Sequence, residues 1–277
     1  MFLSRSNPST SSIGLIAGQG DFPLLFAEAA SSLKHPLIVF GIKGHTDPRL
    51  EKFAKEMYTL DLGALGGLVD ILKKTNIKKV VLAGGIPKRE MYRPSFTMDE
   101  TAKGFMRQTR NKGDDHILKA LQFFLKAKCG VSIVDSRLFL KNVLAVKGLM
   151  TRRRPSPSEM NDLKFGWRVA KGIGKMDIGQ TVVVKDGVVL AVEALEGTDA
   201  AIKRGGQLGQ AGVVIVKTSK PGQDLRFDLP CVGFETMESM KSVGAKVIGV
   251  EAGKTLMLFK EKMIESANHA DLSVVGL

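Results

Sequence analysis

A short stretch late in the chain, Asp224-Leu-Arg-Phe-Asp-Leu-Pro230, carries side chains suited to phosphate chemistry. Its period of two predicts a strand with Asp224, Arg226 and Asp228 on one face, and these three are the candidate catalytic residues. In an extended strand the Cα atoms of the two aspartates would lie ~13 Å apart, which is too far for one metal ion to bind both easily. Either the segment bends or the aspartates have separate roles. A structural face of ion pairs is the alternative.

A second group of charged side chains follows an apolar run that ends near residue 192. Glu193 would share a strand face with apolar residues, where a carboxylate is costly unless it is paired or functional. Thr198 could instead cap a short helix, with Asp199 in its first turn. The carboxylates that could hold a metal are Asp224, Glu193, Glu196 and Asp199, and the cations that could clamp phosphate are Lys203 and Arg204.

The metal expected at these carboxylates is Mg²⁺ or Mn²⁺. None of the four histidines has metal-ligand spacing, and the two cysteines form no CxxC or CxxxC pair. A hard cation with oxygen ligands is therefore the natural choice.

Two glycine-rich loops each follow an apolar run, where backbone N–H groups can approach a phosphate. The first reads GxGxxP rather than the GxGxxG of dinucleotide-binding proteins, so a simple tight turn is an equal alternative. The second is equally compatible with a solvated loop. The residues predicted to contact the nucleotide or its phosphates are Gly18, Gln19, Gly20, Asp21, Gly84 and Lys88.

The elements that must position these loops alternate between short apolar runs and helical patterns. Strands are predicted at residues 13–17, 36–40, 78–83 and 131–134, with helices at about 22–33, 64–75 and 115–127. Buried strands that alternate with helices indicate a parallel sheet covered on both faces. The sequence thus predicts a disordered polar tail over 1–12 and a Rossmann-like, nucleotide-side domain over 13–135.

The second half has a different texture. Residues 136–157 include a basic, Pro- and Ser-rich stretch and are predicted to be a linker or loop. Asp186-Gly187 between two Val-rich runs predicts a hairpin with a type I′ turn. Further apolar runs at 213–216 and 247–250, with helical patterns at about 158–172, 236–244 and 258–268, predict a mixed α+β catalytic domain over 158–277. The fold class is therefore α/β with two domains.

Composition restricts the function classes. The net charge of +13 is spread over both halves, which suits an anionic membrane surface or a polyanionic substrate as well as scattered lysines. No RRM, KH or zinc-finger pattern favours nucleic acid, so none is expected as a partner.

No secretory signal and no run long enough to span a membrane are found, which predicts a cytoplasmic protein. There is no GxSxG or HExxH motif, and the glycine spacing at 249–255 fails the P-loop pattern.

The chain resembles the LpxI-type UDP-2,3-diacylglucosamine pyrophosphatases of lipid A synthesis over almost its whole length. The most specific stretches are Glu196-Gly-Thr-Asp199 and Gln223-Asp-Leu-Arg-Phe-Asp228. These two lie within the longer matching stretches 191–199 and 220–230. Other matching stretches are 13–18, 82–85, 113–115, 177–180 and 250–254, and the match at 149–155 is looser.

The resemblance implies hydrolysis of UDP-2,3-diacylglucosamine to UMP and 2,3-diacylglucosamine 1-phosphate with a divalent cation. It also implies a homodimer of two-domain chains, with the lipid between the domains, and a critical aspartate at Asp224. The enzyme would be cytoplasmic and would make transient contact with the inner membrane to reach its acylated substrate.

Two other functions stay open at the level of residues. The Rossmann-like half could serve a nucleotide-sugar transferase or an oxidoreductase, although the missing third glycine disfavours a dinucleotide. The basic charge could serve a non-enzymatic binder of nucleic acid or anionic lipid.

Overall fold

The computed structural model describes residues 12–86, 88–109 and 113–277, so most of the predicted N-terminal tail lies outside the described residues. The chain divides into two compact units, with the boundary between Leu140 and Lys141. The first contains a five-stranded parallel sheet and the second a six-stranded mixed sheet with helices. The predicted α/β fold class is confirmed.

The first unit has the strand order β3-β2-β1-β4-β5, and all pairs are parallel. The order reverses between β1 and β4, the place where open α/β sheets bind ligands. Its strands are β1 (Ile13–Ala17), β2 (Leu37–Ile42), β3 (Ala54–Leu60), β4 (Lys79–Ala83) and β5 (Ser132–Ile133). Its helices are α1 (Phe22–Ser32), α2 (Leu65–Thr75), α3 (Glu100–Thr109) and α4 (Asp114–Cys129).

The predicted strands of this unit are the ones that are buried on both faces. Leu15 in β1 and Val39 in β2 are fully buried, which explains their continuous apolar runs. The edge strand β3 was not predicted, because Lys55 and Glu56 are exposed and interrupt the apolar pattern.

The second unit has the strand order β6-β13-β11-β9-β7-β8. Strands β9, β11 and β13 are parallel, whereas β6, β7 and β8 pair antiparallel to their neighbours. Its strands are β6 (Gly148–Leu149), β7 (Thr181–Lys185), β8 (Val188–Val192), β9 (Val214–Lys217), β10 (Cys231–Val232), β11 (Val247–Val250), β12 (Leu256–Met257) and β13 (Ser273–Gly276). Its helices are α5 (Pro157–Lys175), α6 (Thr198–Gly209), α7 (Phe234–Ser242) and α8 (Lys260–His269).

Alternating residues of this sheet form two separate apolar layers. Val182 and Val216 pack with Leu163 of α5 on one face. Val183 and Ile215 pack with side chains of α6, α7 and α8 on the other. The period-two runs of valine and isoleucine therefore fill a three-layer core.

The predicted hairpin is confirmed. Asp186 and Gly187 have φ values of +51° and +74°, and Lys185 pairs with Val188. The buried Asp162 accepts both turn amides, at 2.9 and 2.7 Å, so this carboxylate has a structural role.

The predicted linker at 136–157 is divided between the two units. Residues up to Leu140 belong to the first unit, and Gly148–Leu149 forms an edge strand on β13. Arg153 is held by Glu159 at 2.7 Å and by Ser273 at 3.0 Å. Residues 151–156 form no helix or strand, and some of their contacts, to Asn268 and Ser273, come from more than 100 residues later in the chain.

In the described part of the chain, no helix is long and apolar enough to cross a membrane. Cys129 and Cys231 are half-buried free thiols.

Candidate active site

One edge of the second sheet collects the ends of four strands. Lys217, the last residue of β9, pairs with Val250 at the end of β11 and with Thr181 at the start of the antiparallel β7. Val192, the last residue of β8, pairs with Val182. This carboxyl edge of the parallel strands is where α/β sheets bind ligands.

Glu193, directly after β8, is buried and paired there. Its Oε1 accepts a hydrogen bond from the Thr198 hydroxyl at 2.8 Å, and its Oε2 accepts one from the Gln180 amide at 3.3 Å. Lys217 Nζ donates to Thr198 Oγ1 at 2.8 Å. Thr198 is the first residue of α6 rather than its cap, because Gly197 occupies the N-cap position.

A glycine is required beside this carboxylate. A Cβ at Gly179 would lie 2.0 Å from the Glu193 carbonyl oxygen. The glycine of the Asp177-Ile-Gly-Gln180 stretch therefore serves a close approach of two backbones at the site.

A second buried carboxylate, Glu251, directly follows β11. Its Oε2 accepts hydrogen bonds from Lys171 Nζ at 2.6 Å, from the Ser219 amide at 2.8 Å and from the Ser219 hydroxyl at 2.7 Å. Lys254 Nζ lies 2.8 Å from its Oε1. Burial alone would raise the pKa of Glu251, but the bonds from Lys171, Lys254 and Ser219 outweigh burial and lower the pKa to about 2.

The Lys171–Glu251 pair fixes the base of the loop that carries Asp224. Lys171 Nζ also donates to the Ser219 carbonyl at 2.9 Å, so Ser219 is held through its amide, hydroxyl and carbonyl. Sequence reasoning did not assign these residues a role. The position of Glu251 directly after a buried strand could have indicated a role for it, whereas no sequence pattern indicated a role for Lys171.

The loop itself is closed by Gln223. The Lys220 amide donates to Gln223 Oε1 at 2.8 Å, and Gln223 Nε2 donates to Asp228 Oδ2 at 2.8 Å. The Phe227 amide donates to the Asp224 carbonyl at 3.0 Å. The predicted extended strand is therefore wrong: the segment forms a turn, because Gln223 and these backbone bonds draw its ends together.

Asp224 and Arg226 form a bidentate ion pair within this turn. Arg226 Nε lies 2.9 Å from Asp224 Oδ1, and Nη2 lies 2.6 Å from Oδ2. The Asp224 side chain is mostly covered, whereas half of the Arg226 side chain is exposed, and its guanidinium lies over the Phe227 ring at 5.0 Å. The pair presents a fixed carboxylate and a cation suited to phosphate oxygens.

The four predicted metal ligands do not gather into one cluster. No group of three or more Asp, Glu, His or Cys that could hold a metal ion occurs among the residues described. Glu196 accepts a bond from Arg204 Nη2 at 2.6 Å, and this bond lowers the pKa of Glu196. Arg204 also donates to the Val192 carbonyl at 2.8 Å, while Lys203 is exposed on α6. Arg204 therefore holds the 193–197 loop, and its role as a phosphate clamp stays a prediction.

Asp199 retains a buried oxygen for a ligand. Its Oδ1 has no hydrogen-bond partner among the described residues, and the same holds for the buried Gln180 Oε1 and Thr218 Oγ1. Unpaired buried polar atoms are costly in a folded protein, so each of them calls for a partner such as a ligand or a water molecule. Mg²⁺ is usually held by one or two carboxylates, water and substrate phosphates, so the Asp199 oxygen could be one protein ligand of a cation shared with a substrate. The cation itself stays a prediction.

The two glycine loops predicted to face the nucleotide bind each other. The Gly18 amide donates to the Ala83 carbonyl at 2.8 Å, and Gln19 and Gly85 exchange two backbone bonds of 2.9 and 3.1 Å. The amides of Gly18 and Gln19 are therefore engaged within the fold. The predicted contacts of Gly20, Asp21 and Gly84 with a nucleotide stay predictions, and the Lys88 side chain lies outside the described part of the structure.

Replacing Gly18 with alanine is expected to destabilise the first unit by about 1–3 kcal/mol, because the new Cβ would lie 2.3 Å from the Gly85 carbonyl oxygen. Gly104→Ala in α3 is the matched control: its Cβ meets nothing within 4 Å, so it should stabilise by about 0.5–1 kcal/mol. Urea denaturation followed by circular dichroism measures both. Equal midpoints for the two variants would contradict the loop geometry.

Comparison with known proteins gives a match over both units. The LpxI N-terminal domain family matches residues 12–143, and the LpxI C-terminal domain family matches residues 146–275. The UDP-2,3-diacylglucosamine pyrophosphatase LpxI of Caulobacter vibrioides is 31% identical over 281 residues, which cover 96% of this chain and 97% of the relative.

Solved structures show only a distant likeness. The biotin carboxylase domain of Hydrogenobacter thermophilus 2-oxoglutarate carboxylase is 15% identical, with a TM-score of 0.28 over 64% of this chain and 35% of its own. The biotin carboxylase subunit of pyruvate carboxylase is 12% identical, with a TM-score of 0.25 over 66% of this chain and 35% of its own. The chain spans about a third of these proteins, and a likeness at this level carries no argument.

Proposed function

Because the chain belongs to the LpxI family, we propose that it hydrolyses UDP-2,3-diacylglucosamine to UMP and 2,3-diacylglucosamine 1-phosphate with a divalent cation. The family assignment makes the chain a hydrolase, a pyrophosphatase of lipid A synthesis. The observation that carries the proposal is the full-length match to a named pyrophosphatase, with both family domains in chain order. It disfavours the redox enzyme and the non-enzymatic binder.

The chemistry requires water to attack one phosphorus while the bridging P–O bond breaks and the other phosphate leaves. Asp224, held in place by Arg226, would hold the cation or orient the attacking water. Arg226 and Lys203 neutralise phosphate oxygens, and Asp199 offers its buried oxygen to the cation. A cation bound there would supply Lewis-acid stabilisation of the charge that develops on the phosphates.

The acyl chains need apolar surface beside this chemistry. Met176, Ile178 and Leu195 are exposed in the loops that enter β7 and leave β8, which flank Glu193. We assign acyl contact to these three side chains. The basic charge would bring a cytoplasmic homodimer to the anionic inner membrane, where its substrate lies.

Incubation of the purified protein with UDP-2,3-diacylglucosamine and MgCl₂ is expected to release UMP and the diacylated sugar 1-phosphate, identified by mass spectrometry. EDTA should lower the rate by at least about 10²-fold, and excess MgCl₂ or MnCl₂ should restore it. Intact substrate after prolonged incubation would refute the pyrophosphatase activity. Undiminished turnover in EDTA would refute the requirement for a divalent cation but not the pyrophosphatase activity.

A further inference from the structure

We propose that Lys217 binds one phosphoryl group of the substrate at the N-terminus of α6, with Thr198 and Glu193 as positioning residues. The inference takes its ligand from the proposed function and adds a cationic group that no step above uses. It is carried by the burial of Lys217 and by the arrangement of its neighbours.

Lys217 is a buried cation that forms no direct ion pair with a described residue. The residue is 6% exposed, and its Nζ donates to Thr198 Oγ1 at 2.8 Å. Among the described residues, this is the one hydrogen bond found for the ammonium group, and no ion pair with a carboxylate is found for it. An ammonium group has three N–H donors, so two remain for a ligand. Glu193 shares the Thr198 hydroxyl with Lys217 and compensates its charge from a distance, but buried N–H donors without partners are costly, which favours a functional reason for this lysine.

The neighbouring side chains hold the ammonium group in place. The Thr198 hydroxyl donates its single proton to Glu193 Oε1 at 2.8 Å and accepts from Lys217 with a lone pair. Thr198 therefore has no proton to donate to a phosphate, and its role is to fix the direction of Lys217. The second oxygen of Glu193 is taken by the Gln180 amide, so both carboxylate oxygens are directed at protein donors.

The surroundings point to an anion accompanied by a cation. Lys217 reaches the first turn of a 12-residue helix, whose amides and dipole favour negative charge. Asp199 lies in the same turn with a buried Oδ1 that has no partner in the described part of the chain. This carboxylate would repel a bare phosphate, and a divalent cation between the two would remove the repulsion. A phosphoryl group of a cation-bound pyrophosphate would give Lys217 an anion and would give Asp199 a cation.

Binding of inorganic pyrophosphate to the full chain, measured by isothermal titration in MgCl₂ at fixed ionic strength, tests the inference. Lys217→Met should weaken binding at least tenfold. Lys262→Met, which removes an exposed charge from α8, should change it less than twofold. Thr198→Val should weaken binding about three- to fivefold, and Thr198→Ser should restore it, because serine keeps the hydroxyl.

A thermal melt separates ligand binding from a structural role. Lys217→Met should melt cooperatively and close to the wild-type temperature, because methionine keeps the packing of the side-chain stem and Glu193 keeps its hydrogen bonds from Thr198 and the Gln180 amide. A marked drop in melting temperature with unchanged affinity would overturn the inference. So would wild-type protein that shows no saturable pyrophosphate binding.

Titration with UMP and with N-acetylglucosamine 1-phosphate then identifies the half of the substrate that Lys217 contacts. The affinity for one of the two should fall in Lys217→Met, and loss for neither would overturn the inference. Wild-type protein that binds pyrophosphate through Lys217 but leaves the lipid substrate intact would refute the proposed function and retain the anion site.

Discussion

Replacement of Asp224 with asparagine is expected to lower kcat for UDP-2,3-diacylglucosamine by about 10³-fold with little change in KM. Asparagine keeps the size of the side chain but removes the charge that would bind the cation or align the attacking water. These interactions matter most in the transition state, so their loss appears in kcat. Steady-state hydrolysis followed by UMP release is the measurement.

The structure supplies two comparisons for this variant. Asp228→Asn neutralises a carboxylate in the same turn that accepts a bond from Gln223, and we expect a loss of about tenfold through a looser turn. Glu235→Gln neutralises an exposed carboxylate in the first turn of α7 and should leave kcat unchanged. If Asp224→Asn turned over at the wild-type rate while Asp228→Asn did not, the principal role would pass to Asp228.

Glu251→Gln is expected to reduce the free energy of unfolding by about 3 kcal/mol and to lower kcat as well. The change removes the charge that compensates Lys171 and weakens the grip on Ser219. Breaking a buried ion pair from one side costs about 3–5 kcal/mol, and the partial exposure of Lys171 places this case at the lower end. Guanidinium denaturation and a hydrolysis assay measure the two effects.

The double variant Lys171→Met/Glu251→Gln is the control, because it removes both charges and should recover part of the lost stability. A single variant as stable as the wild type would show that the pair does not clamp the loop.

The same pair predicts the acid side of the stability curve. The pKa of Glu251 is about 2 in the folded protein, below the ordinary glutamate value near 4.5. The contribution is therefore complete above pH ~4.5 and is lost as the pH falls towards about 2. The wild type should lose more stability across this window than Glu251→Gln, which has no group to protonate. Parallel stability curves for the two proteins would contradict the lowered pKa.

The sequence by itself determined the parts of this protein that depend on local pattern. The apolar runs of β1, β2, β4 and β11 predicted buried strands, and Asp186-Gly187 predicted the hairpin, because burial on both faces and a type I′ turn each demand particular neighbouring residues. The resemblance of the Gln223–Asp228 stretch directed attention to the loop that carries Asp224.

Only the tertiary structure decided which charges meet. The alternation of polar and apolar residues predicted a strand at Asp224–Asp228. Side-chain hydrogen bonds of Gln223 instead fold the segment into a turn, and an alternating pattern cannot predict such bonds. Lys171 and Glu251 form an ion pair although they are 80 residues apart in the chain. Lys217 and Thr198 form a hydrogen bond although they are 19 residues apart. Sheet pairing brings these residues to one edge, so the burial that gives each charge its partner or its need for a ligand arises only on folding.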